Sequence, residues 1–160
     1  MRNMRRFISR RVLLMALASM VARGTAQAGD IAVVVRPDVP VTNLSVAELR
    51  HLVLGDRQFW TSNVGVTLLV RAPGARERDV VLKTVCQMSE AQFRQYWIAK
   101  VFRAEAAAGP KIVYSNEMAA EMVNALPGAV AFMDADQVPK GVKVVKINGL
   151  LPGTKDYPLH

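Results

Sequence analysis

The chain has 160 residues, 51% of them hydrophobic and 21% charged, with 21 Lys and Arg against 13 Asp and Glu and a formal net charge of +8. Six of those basic residues and none of the acidic ones lie within 1–28, leaving 15 against 13, a net charge near +2, for the rest. At that balance the high net charge gives no argument for nucleic-acid binding, which needs a clustered basic face on the folded domain, and a single cysteine, Cys86, excludes an internal disulfide.

In chain order, the first element is a leader. Arg2, Arg5, Arg6, Arg10 and Arg11 form a basic start, Val12 to Ala22 is an apolar run, and Ala26-Gln27-Ala28 is a small-residue cleavage site. The order predicts a cleavable signal peptide over 1–28 and a periplasmic or secreted protein. The run is too short to span a bilayer, which needs about 20 apolar residues, so the cleaved protein is not expected to be membrane-embedded. Ser9-Arg10-Arg11-Val12-Leu13-Leu14 also resembles a twin-arginine signal, which leaves that route open beside general secretion. No cysteine at the cleavage point offers a lipid anchor.

Residues 29–160 have the size of one domain. Ile31 to Val35 reads as a strand buried on both faces. Ser45 and Glu48 form a capping box before a helix that buries Val46, Leu49, Leu52 and Val53 and stops at Gly55. Val66 to Val70 is a second strand, and Pro73-Gly74 turns the chain into a helix carrying Val80, Val81, Leu82 and Val85. Ser89 and Gln92 cap a further helix with Phe93, Tyr96, Trp97 and Val101 in one stripe. Cys86, within apolar helical sequence, reads as a small buried hydrophobe.

A fourth helix begins near Ser115 or Asn116, with Met118, Met122, Val123 and Leu126 on one face, and ends at Pro127-Gly128. Ala129 to Met133 and Val142 to Ile147 complete four strands, and Asn148-Gly149 makes the last turn. Strands alternating with helices predict a layered α/β/α domain on a small, mostly parallel or mixed sheet. His51 and His160 have no cysteine or acidic partner at a metal-ligand spacing. Asp134 and Asp136 flank a turn and read as solvated. No nucleophile elbow, HExxH or phosphate-loop pattern occurs, so neither catalysis nor a metal or other cofactor is expected.

Several groups together resemble the periplasmic phosphate-binding protein family. They are Leu44-Ser45-Val46-Ala47-Glu48-Leu49 with Gly55 and Trp60, Gln95-Tyr96-Trp97, Leu126-Pro127-Gly128-Ala129-Val130-Ala131-Phe132, Asn148-Gly149 and Tyr157-Pro158-Leu159. The resemblance runs from about Ile31 to Leu159 and implies one lobe of a type 2 solute-binding fold. In that family two lobes close over an anion and deliver it to a membrane transporter. The family cradles phosphate with an arginine and a serine-glycine-threonine turn at a helix N-terminus, where free N–H groups and the helix dipole favour an anion.

The matching stretch here is Arg71-Ala72-Pro73-Gly74-Ala75-Arg76-Glu77, which makes Arg71, Gly74, Ala75, Arg76 and Arg78 the candidate anion ligands. Alanine, arginine and glutamate stand at 75, 76 and 77 in place of serine, glycine and threonine. Glu77 either repels phosphate or stabilises the helix N-terminus. The resemblance thus implies a small anion such as phosphate, weakly bound, and a transporter or envelope sensor as protein partner. The alternative is a ligand-free interaction module, partnered or homodimeric.

Overall fold

The computed structural model describes residues 29–61 and 63–160; the signal peptide expected at 1–28 lies outside them. Among the described residues no helix is long and apolar enough to cross a membrane.

Among the described residues eight strands and four α-helices follow in order: β1 (Ile31–Val35), β2 (Asn43–Leu44), α1 (Val46–Val53), β3 (Phe59–Thr61), β4 (Val64–Gly65), β5 (Thr67–Arg71), α2 (Arg76–Val80), α3 (Glu90–Phe102), β6 (Lys111–Val113), α4 (Asn116–Ala125), β7 (Ala129–Asp134) and β8 (Lys143–Ile147). After Val80, α2 runs on as a π-helical turn over Val81–Cys86 and stops at Gln87 in the left-handed region. Six strands form one sheet in the order β2-β8-β1-β7-β5-β6, while β3 and β4 pair as a separate hairpin.

The sheet is mixed. β1 runs antiparallel to both neighbours, with Ile31 opposite Asp134 and Val33 opposite Val145. The pairings β2–β8, β5–β7 and β5–β6 are parallel. All four expected strands are present, and β1 is wholly buried as its unbroken apolar run requires. β2, β3, β4 and β6 were not expected. Each has only two or three residues, too few to show an alternating pattern.

Helices cover both faces, giving the expected three layers. One core packs Leu49, Leu52, Val81, Leu82, Val85, Phe93 and Trp97 against Val33, Val70, Phe132 and Val145 and is sealed by Tyr157 and Leu159 of the tail. The other packs α4 against Ala32, Val34, Leu69, Ala131 and Met133. Both expected capping boxes form, at Ser45/Glu48 and Ser89/Gln92.

Two helix stripes differ from expectation. On α3 Val101 is exposed, and Lys100 is buried in its stead, its ammonium 2.7 Å from Asp56; the stem packs inward while the charge meets a partner. On α4 the buried face is Asn116, Ala119, Ala120 and Val123, with Met118 and Met122 at its margin. The small alanines let the helix lie close to the sheet.

Two glycines of the quoted motifs have steric reasons. Gly55 has φ +71°, and a Cβ there would meet Trp97 at 2.5 Å. Gly128 has φ +66°, and a Cβ would collide with the carbonyl of Gly65 on β4. Trp60 Nε1 donates to the Gly128 carbonyl at 2.8 Å, so motif residues far apart in sequence meet at one point.

Candidate functional site

Strands β5, β6 and β7 are mutually parallel across the sheet and end together at Arg71, Val113 and Asp134. The chain leaves β5 through Pro73-Gly74 into α2, leaves β6 through Ser115 into α4, and leaves β7 through a 3₁₀ turn at Ala135–Gln137. Carboxyl ends of parallel strands facing helix N-termini form the usual ligand crevice of α/β sheets. The stretch 71–78 therefore lies at the crevice end of the sheet. Gly74 has φ +88° and faces open space, and Ala75 is the residue before the first turn of α2, with no side-chain cap.

The arginines are all engaged within the protein. Arg71 Nη1 donates to Glu77 Oε1 at 2.7 Å and to Asn116 Oδ1 at 2.6 Å, and Nη2 reaches the Tyr114 carbonyl at 3.4 Å. Only 11% of the Arg71 side chain and 7% of the Glu77 side chain remain exposed, and Arg71 Nε is buried without a partner. Asn116 in turn donates to Gln137. Arg76 pairs with Asp134 at 3.2 Å and donates to the Gly29 carbonyl. Asp134 is therefore not simply a solvated turn residue; its strand ends where α2 begins, and the two charges meet.

Arg78 points the other way. Its guanidinium forms two 2.7 Å hydrogen bonds to Glu90, donates to the Arg71 carbonyl and lies over the Phe93 ring. Those two bonds hold the Glu90 carboxyl below its ordinary range against the effect of burial. The five candidate residues thus share a backbone segment, but the side chains of its three arginines diverge. Arg76 lines a depression with Gly29, Asp30 and Asp136, whereas Arg78 lines an apolar groove between α3 and β6.

A third carboxylate, Glu117, stands in the first turn of α4. Its own amide and the Ser115 hydroxyl hold it below the ordinary carboxylate range. Three carboxylates thus stand at this end of the sheet: Glu77 pairs with Arg71, Asp134 pairs with Arg76, and Glu117 feels the charge of Arg71. Glu77 stands in the first turn of α2, as one of its two expected roles requires, and it also has a role that the sequence did not suggest: it is the anion that Arg71 binds. Sequence reasoning did not find Asn116, Gln137 or Glu90 as partners of this network. Asn116 carried a signal, a polar residue opening a helix; the other two carried none.

No protein-family model matches the chain, and no curated protein matches it. Solved structures share its fold. The PstS protein of Borrelia burgdorferi superposes with a TM-score of 0.65 at 17% identity, over 82% of this chain and 54% of its own. An ABC-type phosphate transport receptor of Vibrio cholerae gives 0.63 at 21% identity, over 78% and 48%. A Clostridium perfringens protein assigned as a phosphate ABC transporter substrate-binding protein, solved with phosphate bound, gives 0.62 at 16% identity, over 77% and 46%. The fold is that of the phosphate-type solute-binding proteins, and this chain spans about half the length of the structures it matches.

Proposed function

We propose that this protein is an exported, non-enzymatic module of solute-binding fold that works by contact with another protein, its anion crevice being filled from within. The observation that carries this reading is the Arg71–Glu77 pair, 2.7 Å apart and almost fully buried. In a family-type phosphate site the arginine and the turn amides face the ligand; here a carboxylate of the same chain already faces Arg71. A phosphate dianion would have to displace or adjoin Glu77 in a partly desolvated site, where like charges repel strongly. The partner on this reading is an envelope transporter or sensor, or a second copy of the chain.

A second reading is weak binding of a small anion such as phosphate at Arg71, Gly74, Ala75, Arg76 and Arg78. It is favoured by the position of that stretch at the carboxyl ends of three parallel strands. Thermal unfolding of the purified protein against phosphate, sulfate and organic anions separates the two. A ligand at 100 times its dissociation constant stabilises by about 2.7 kcal/mol, on the order of 10 °C for this size. The first reading expects no shift from any of these anions, and a phosphate shift of that scale overturns it.

A further inference from the structure

The face of α3 turned away from the two cores is apolar and uncovered. Phe102 is 90% exposed, Ile98 57% and Val101 37%, and beside them on the edge strand β6 stand Ile112 at 41% and on its trailing end Tyr114 at 72%. Between α3 and β6 lies a groove of about 630 Å³, with Phe93, Trp97 and Val70 among its lining residues. Arg94, on the exposed side of α3, also lines it. Contiguous apolar patches of this kind on a folded domain mark interaction surfaces.

We infer that the occupant of this face is a second copy of the chain, a conclusion that rests on the reading of the protein as an interaction module. The area supports it. Free aromatic side chains present roughly 150–250 Å² each and aliphatic ones less, so these five together expose about 500 Å². A two-fold contact doubles this to about 1,000 Å², the threshold for a stable biological interface, before the stem of Arg94 and the ring of Pro110 are included.

The shape supports it too. The face carries both a projecting side chain, Phe102, and the groove that it borders, and a patch with both is what an isologous dimer requires. Antiparallel α3 helices crossing near Ile98 place the Phe102 ring of each copy against Arg94 of the other, a cation–π geometry. Strand addition is disfavoured as the alternative, because Pro110 lacks an N–H and Lys111 adds charge at the edge of β6. The contact is side-chain packing rather than sheet extension.

The test is sedimentation and light scattering of the purified protein from about 1 to 100 μM, a range that resolves micromolar association. The variants are Phe102→Glu, Ile98→Glu and, as a control on the separate β3 hairpin, the 59% exposed Phe59→Glu. The expected result is a concentration-dependent dimer that each α3 variant weakens at least about tenfold, with unchanged circular dichroism, while the control dimerises normally. A monomer throughout the range overturns the inference, as does a dimer indifferent to both α3 variants. Neither outcome touches the filled-crevice reading, whose own failure is seen separately as stabilisation by phosphate.

Discussion

Replacing Glu77 by Gln removes the charge that Arg71 binds while keeping the side chain's size. Losing one partner of a buried ion pair costs about 3–5 kcal/mol, because the remaining charge is left uncompensated in a low-dielectric setting. Two features place this site below that range. The Gln amide oxygen still accepts a hydrogen bond, and Asn116 and the Tyr114 carbonyl stay within reach of Arg71. A cost of about 2 kcal/mol is then expected, which for a domain of this size lowers the melting temperature by roughly 8 °C. The vacated guanidinium should also become an anion site. Phosphate or sulfate at 100 times its dissociation constant returns about 2.7 kcal/mol, enough to restore the loss. The assay is thermal unfolding of wild type and variant in an anion-poor buffer, then with added phosphate. The expected pattern is a destabilised variant rescued by phosphate beside a wild type that phosphate leaves unmoved. The reasoning is refuted by a variant that melts with the wild type in anion-poor buffer, or by phosphate stabilising both proteins equally.

Three further predictions follow from the packing. Burial works to raise Asp56, but the Lys100 ammonium, with His51 and the Tyr96 hydroxyl, holds it below the ordinary range, and Arg78 does the same for Glu90. Both folded-state values therefore lie below the unfolded ones near 4, so the stability they contribute is present above that pH and lost as pH falls through the folded values. The urea midpoint should fall progressively as pH drops below about 5, and the double variant Asp56→Asn, Glu90→Gln should show a flatter profile. Gly128→Ala forces a Cβ into the Gly65 carbonyl at φ +66°, so it should lower stability by at least about 2 kcal/mol; an unchanged melting temperature contradicts that clash. Burial pushes the Cys86 thiol up to about 11, so an aromatic disulfide reagent at about pH 8 should label it only after unfolding, and fast labelling of the native protein would show the site to be open.

The fold was largely legible because its long elements announce themselves. The β-branched run at 31–35, the two capping boxes and the turn glycines are local signals, and local signals survive in a single sequence. β6 was not legible. Three residues carry no period, and the strand exists because β5 offers it a parallel edge with Leu69 beside Lys111. The antiparallel setting of β1 between β7 and β8 was likewise invisible, since an apolar strand buried on both faces reads the same in either direction.

For the crevice, the sequence by itself determined which residues stand at the end of β5 and that an alanine, an arginine and a glutamate stand where the family has its small, hydroxyl-bearing turn. It could not determine where those charges point. Residues 71–78 alternate direction at a strand-to-helix junction, so Arg76 turns toward Asp134, Arg78 toward Glu90, and Arg71 meets Glu77 and Asn116. Those partners lie between 6 and 58 positions away in the chain. Only the packing of α2, α3 and α4 around one sheet end brings them within hydrogen-bond reach, because Coulomb attraction and desolvation act over ångströms in space and not along the sequence. Whether an arginine is available to a ligand is therefore a tertiary property, and here the tertiary structure has already supplied each of the three with an anion.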